Sequence, residues 1–198
     1  MTRRPWLGGL WLLGACQMGT ARSVDTLPPT PAETHAGLGW GIRGYGSFYA
    51  PGKAQEGAQR LLEKATGSTA ALVTSILVNA DTVSARVEHA DNPADFDDAT
   101  LDLNGDLQGR EPVKRMSGDN LERYTFKLSD ARLDRIPDVR ATALKENPEV
   151  SEAAHLTAIY IEQSASGQLG MRADCTSARR EWQVNFDAAG NRISTQMR

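Results

Sequence analysis

Cysteine is scarce in this chain: Cys16 and Cys175 are the only two in 198 residues. Two thiols cannot build a disulfide framework, so the fold must rest on packing. Histidine is nearly as sparse. His35, His89 and His155 share no metal-ligand spacing, so no zinc site is expected. Positive charge is not in excess, with 22 Lys and Arg against 25 Asp and Glu. That balance excludes the basic footprint of a nucleic-acid binder. No apolar run reaches the roughly 20 residues that a membrane-spanning helix needs. No GxSxG nucleophile turn occurs, and Cys175 has no evident histidine partner.

Several near-motifs fail on context. Gly39-Trp40-Gly41-Ile42-Arg43-Gly44 fits GxGxxG, but it follows a Pro-rich stretch rather than a strand. Gly52-Lys53-Ala54 lacks the Ser or Thr and the glycine spacing of a phosphate loop. Asp91, Asp95, Asp97, Asp98, Asp102, Asn104 and Asp106 form an acidic set that could offer oxygens to calcium. Counted from Asp102 as a Ca²⁺ loop, position six is Leu107 and position twelve is Val113, so that pattern fails too. A solvated loop and a polar strand face are expected there. No catalytic residue, metal or cofactor follows from the sequence.

The beginning of the chain is more informative. Thr2-Arg3-Arg4 precedes Trp6 to Ala15, a short uncharged run of Leu, Trp, Gly and Ala. Its length suits the apolar core of a secretory signal. Leu13-Gly14-Ala15-Cys16 resembles the lipobox of bacterial lipoprotein precursors. The resemblance implies cleavage before Cys16 and acylation of its thiol. It also implies a cell-envelope address, with Gln17 favouring the outer membrane facing the periplasm. More than one acyl chain is needed for stable anchoring, which a triacylated cysteine supplies. A faint twin-arginine resemblance leaves the export route open. Residues 17–36, rich in Pro and Thr, read as a flexible tether with a reach of about 25 Å.

The body of the chain reads as a duplication. AALVTSILVN at 70–79 aligns with AAHLTAIYIE at 153–162. Ala70, Ala71, Thr74 and Ile76 recur as Ala153, Ala154, Thr157 and Ile159. Asp106-Leu107-Gln108-Gly109 is set beside Asp187-Ala188-Ala189-Gly190, at nearly the same spacing. A helix is predicted over residues 53–66, with Ala54, Ala58, Leu61, Leu62 and Ala65 on one face and Gly67 as its stop. A second is predicted over 130–146, divided at Pro137, with Ile136, Val139, Ala143 and Leu144 apolar. Alternation marks strands at Val83-Ala85-Val87, Tyr124-Phe126-Leu128 and Trp182-Val184-Phe186.

The expected fold class is α+β: two tandem α-β-β-β units, each a helix packed on one face of a small antiparallel sheet. The helix followed by three strands and an Asp-x-x-Gly turn resembles the PepSY-like fold; a cystatin-like fold gives a similar pattern. The expected organisation is a signal peptide (1–15), lipidated cysteine and tether (16–36), Gly/aromatic lead-in (37–52), first unit (53–120) and second unit (121–198). The PepSY resemblance implies binding of a partner protein and carries over no catalytic residue.

The reading is an envelope lipoprotein acting as a non-catalytic protein-binding module, either inhibitor-like or an accessory subunit of an envelope assembly. A cell-wall hydrolase using carboxylates and a carrier of a small apolar ligand are the alternatives. Cys175 reads as a buried small residue, with a reactive thiol or an intermolecular bridge as alternatives. His89 reads as structural. Arg172, Arg179 and Arg180 form either a small basic patch or a solvated strand edge.

Overall fold

The computed structural model describes residues 46–114, 120–147 and 154–198. The signal peptide, Cys16, the tether with His35, and the lead-in as far as residue 45 lie outside the described residues.

Helix α1 (Lys53–Thr66) has the predicted bounds. It buries Ala54, Ala58, Leu61, Leu62 and Ala65 on one face, together with Gly57. Gly67 ends it with φ 75° while its N–H donates to Glu63 O. Helix α2 (Ile136–Lys145) is shorter than predicted. Residues 128–135 instead form two 3₁₀ turns, Leu128–Ala131 and Leu133–Arg135, because Arg132 between them is left-handed, with φ 47°. Pro137 sits in the first turn of α2, where a missing N–H does no harm.

Nine strands follow among the described residues: β1 (Leu72–Val78), β2 (Thr82–His89), β3 (Asn92–Asp102), β4 (Leu107–Pro112), β5 (Phe126–Lys127), β6 (His155–Gln163), β7 (Leu169–Thr176), β8 (Glu181–Asp187) and β9 (Arg192–Met197). They form a single antiparallel sheet in the order β4-β3-β2-β1-β6-β7-β8-β9, with β5 paired to β1. The expectation of three strands per helix is corrected to four. The expectation of two small sheets is corrected to one. β1 and β6 each send an apolar row to the helix side, and pairing them directly leaves no unpaired edge in the middle. The strand expected at Tyr124-Phe126-Leu128 shrinks to Phe126–Lys127, since β6 takes the rest of that edge of β1. The expected acidic loop from Asp91 to Asp98 falls largely within β3, an 11-residue strand beginning at Asn92.

At the centre of the sheet, Leu77 pairs with Tyr160. These two residues stand at the same spacing as the aligned segments 70–79 and 153–162. Helix α1 contacts β2, β3 and β4, and α2 contacts β6, β7 and β8.

One continuous apolar core runs beneath both helices. Trp182, Val184 and Phe186 fill it from one half; Val83, Ala85 and Val87 fill it from the other. Phe48 reaches it from the lead-in and is fully buried against Gly57, where an added Cβ would run into the ring. The helix–sheet interface is therefore closely packed. Tyr49 follows, its hydroxyl donating to Thr157 O at 3.2 Å with Val78 O a second acceptor at 3.5 Å. Burial holds that hydroxyl protonated, its pKa raised despite the opposing field of Arg140.

Two hairpin turns share one design. In Asp102-Leu103-Asn104-Gly105, Gly105 N–H donates to Asp102 O and Asp102 N–H to Asp106 O. In Asp187-Ala188-Ala189-Gly190, Gly190 N–H donates to Asp187 O and Asp187 N–H to Asn191 O. Both glycines have positive φ, 78° and 82°, which the turn demands. The turn matching Asp187–Gly190 thus starts at Asp102, and the alignment with Asp106–Gly109 is corrected.

Candidate functional site: the open face of the sheet

The helices cover one face of the sheet. On the other face, the residues between the buried ones line up across the strands. Register places Thr100, Ser84, Leu77, Tyr160, Arg172, Asn185 and Ser194 in one row spanning β3 to β9. Each of them is half-buried.

Tyr160 stands at the centre of this row, with Arg172 beside it. The Arg172 guanidinium lies 4.1 Å from the centroid of the Tyr160 ring. Such stacking contributes about 0.5–1 kcal/mol where it is partly exposed. Glu162 Oε1 accepts from Arg172 Nη1 at 3.3 Å, and Asp174 Oδ1 stands 3.5 Å from its Nε. Neither Arg172 Nε nor Asp174 Oδ1 completes a hydrogen bond among the described residues, although both atoms are shielded from solvent. Arg198 Nη2 lies 3.7 Å from the other oxygen of Asp174 and donates to Gln183 Oε1 at 2.8 Å. Gln183 then donates to Asn185 Oδ1, and Asn185 donates to Ser194 Oγ. In the first half, Ser84 and Thr100 hydroxyls meet at 2.9 Å and Arg86 makes two hydrogen bonds to Asp98. A shallow groove of about 330 Å³ continues the face between Glu162, Ser164, Gln168, Gly170, Arg172 and Gln183.

The Tyr160 and Arg172 side chains are held in one arrangement by their mutual stacking and by Glu162. The aromatic ring and the guanidinium are held before any partner arrives, so little side-chain entropy is lost on contact. Glu162 and Asp174 bracket a guanidinium rather than an open cleft.

The other predicted residues disperse. Arg179 and Arg180 lie in the β7–β8 turn, beyond the Thr176–Glu181 pair that closes the ladder and away from the Arg172–Asn185 pair, so the three arginines form no patch. The acidic set separates by face and by partner. Asp97 is buried on the helix side and accepts from Arg110 Nε at 2.6 Å, with His89 Nε2 at 4.0 Å. Asp98 is on the open face. Asp95 accepts from Asn92, while Asp102 caps its own turn through Asn104 N–H and Asp106 N–H. Asp106 lies 3.5 Å from Lys64. Among the described residues, no three His, Cys, Asp or Glu side chains converge as a metal set. Cys175 is buried, and burial with the Asp174 carboxylate beside it pushes the thiol up to about 12. His155 is exposed at the start of β6.

The sequence reading missed the Tyr160–Arg172 stack. The available signal was the alternation Met171-Arg172-Ala173-Asp174-Cys175, which sends Arg172 and Asp174 to the face opposite the core. The cross-strand partner depends on register, which one strand's own pattern does not carry.

No family model matches the chain, and no curated protein matches it. A solved structure from Clostridium difficile 630, provisionally described as a lipoprotein, has a similar fold. The TM-score is 0.53 at 12% identity, and the match covers 74% of this chain and 91% of that one. The likeness supports an α+β architecture with a large antiparallel sheet and two helices. No helix among the described residues is long and apolar enough to cross a membrane.

Proposed function

We propose that this chain is a lipid-anchored envelope lipoprotein, held at Cys16, whose open sheet face binds a partner protein without catalysis. One observation carries the binding reading: the face opposite the helices presents a stacked Tyr160–Arg172 pair, already fixed by Glu162 and flanked by Leu77 and Asn185. Tyrosine and arginine are the side chains that dominate protein interfaces when held rigid at their centre. The lipoprotein description of the C. difficile neighbour and the lipobox-like segment are consistent with the anchor.

The tandem-unit reading is part of the same proposal. Two helix-plus-four-strand halves, of PepSY-like descent, lie side by side about the Leu77–Tyr160 pairing. Duplication of a one-sided sheet doubles the width of the free face, which suits a protein rather than a small ligand. Within this class, an inhibitor and an accessory subunit of an envelope assembly use the face alike. An outer-membrane position facing the periplasm is the address that Gln17 favours.

The test is capture from detergent-solubilised envelopes using the acylated full chain as bait. A stoichiometric protein partner is expected. The Tyr160→Ala/Arg172→Ala variant is expected to lose it, with unchanged circular dichroism. Repeated absence of a partner, or capture indifferent to the double change, overturns the binding reading. Mass spectrometry of the N-terminal peptide tests the anchor separately, since Cys16→Ser must abolish acylation.

A further inference from the structure

A second row on the open face differs in charge from the first. Glu111, Asp98 and Arg86 cross the first half from β4 to β2. Ser75, Glu162, Gly170 and Asp187 continue the line from β1 to β8. Carboxylates thus outnumber guanidiniums four to one along it. Arg86 is held by Asp98 through two hydrogen bonds. In the neighbouring row Arg172 is shared between Glu162 and Asp174, and Arg198 also turns to Asp174. The face is left with carboxylate in excess. The helix layer has the opposite balance: Lys53, Arg60 and Lys64 outweigh Glu56 and Glu63 in α1, and Arg140 and Lys145 outweigh Asp138 in α2.

Gly170 is the gap in this row. It puts no side chain between Glu162 and Asp187, and the groove beside Arg172 widens there into a recess of about 580 Å³. Leu169, Ala188, Ala189 and Ile193 line the recess together with Ser164 and Gln168. Ile193 falls at the register shift in β9 and is 65% exposed, the large apolar side chain most open to solvent among the described residues. The acidic row therefore ends in an apolar recess.

We propose that the open face takes a cationic segment of a partner protein, laid along this row with one apolar side chain in the Gly170 recess. The inference rests on the reading of that face as a protein-binding surface and names the chemistry of its partner. Charge complementarity argues the first part. Lys or Arg on the segment meets carboxylates that the face does not neutralise with its own arginines, and an acidic partner is repelled along the same line. The recess argues the second part. It is wet apolar surface that one aliphatic or aromatic side chain covers, beside a stack already held in place. The dimensions suit an extended chain. From β4 to β8 the sheet spans about 29 Å at ~4.8 Å per strand, which about nine extended residues cross.

Peptide binding to the full chain in non-ionic detergent tests it, read by titration calorimetry and amide chemical shifts. The probe is a synthetic peptide of about twelve residues, Lys and Ser alternating with Leu at each end, long enough to cross the row. It is expected to bind, with shifts at Gly170, Asp187 and Ile193 and none in α1 or α2. Its affinity is expected to fall at least ~10-fold between about 0.05 and 0.3 M salt. Glu111→Lys/Glu162→Lys is expected to weaken it at least ~10-fold, whereas Glu56→Lys/Glu63→Lys, the same change in net charge on α1, leaves it within about 2-fold. All four of these side chains are exposed, so the fold is not at stake. Ile193→Ser is expected to remove the roughly 5-fold advantage of Leu ends over Ser ends in the peptide. Absence of binding, equal binding of a peptide with Glu in place of Lys, or equal losses from the two charge reversals overturns the proposal. A Leu advantage that survives Ile193→Ser overturns it too. Envelope capture separates this inference from the reading beneath it. A partner that needs Tyr160 and Arg172 but ignores salt and the Glu111/Glu162 change keeps the binding face and overturns the cationic segment; a face that captures no partner overturns both.

Discussion

Trp182 shows how much one side chain can hold. It is almost fully buried in β8, and its indole N–H donates to Ala143 O at 3.2 Å. Ala143 lies in the last turn of α2, where carbonyls have no partner within the helix. The indole thus fills the core and caps the helix in one contact. Trp182→Phe keeps most of the apolar volume but orphans the carbonyl. A loss of about 1–3 kcal/mol is expected from the missing bond, read as a lower urea midpoint. A variant as stable as the parent would mean that the indole contributes only bulk. Gly57 is the converse case. Alanine is the better helix former by about 1 kcal/mol, but the Phe48 ring already occupies the space that its Cβ would take. Overpacking of this kind costs typically 1–3 kcal/mol, so packing outweighs propensity.

Among the elements, the Asp187–Gly190 hairpin turn responds to pH in a defined direction. The Asp187 carboxylate accepts from the Asn191 side chain at 2.9 Å and from its N–H at 2.8 Å. The side-chain bond first, then the backbone bond, hold its pKa below the usual aspartate value. A group lowered in the folded state adds stability above its unfolded pKa, near 3.9, and loses it as pH falls through the folded value. Asp187→Asn is therefore expected to lower stability at pH 7 and to flatten the acid limb of a pH–stability curve below about pH 4. An unchanged acid limb would assign no such role to this turn.

The same elements mark where sequence patterns stop being readable. α1 was legible to its ends because a full apolar face and a terminal glycine coincide. β2 and β8 were legible because they sit inside the sheet, with one dry and one wet side. β4 and β9 were not: as edge strands they bury little, so no alternation betrays them. β3 was hidden by its aspartates. Asp97 and Asp98 lie on opposite faces, one met by Arg110 and the other by Arg86, and consecutive acids look like a loop until those arginines are placed. Arg132 concealed the start of α2, since a left-handed arginine has no signature in composition. The Tyr160–Arg172 stack was half legible: each residue's face could be read, but not their adjacency.

At the scale of the molecule, the seam between the halves is a strand pair rather than a loose joint. One apolar core extends beneath both helices, and Tyr49 hydrogen-bonds to Thr157 on β6 with Val78 of β1 within reach. The halves should not unfold separately. A single transition in urea is expected, coincident by tryptophan fluorescence and far-ultraviolet circular dichroism. Two separated transitions would show that each half is its own cooperative unit.

Phe48 and Tyr49 give this seam a mechanical meaning. A pull arriving along the chain from before residue 46 meets these two aromatic residues first. Phe48 is wedged under α1 and bonded through its N–H to Ala80 O; Tyr49 is latched across the middle of the sheet. The load is spread over both halves at once instead of peeling one strand from the rim. A protein moored at that end would resist drag as a whole body, and its free face would keep its shape under tension.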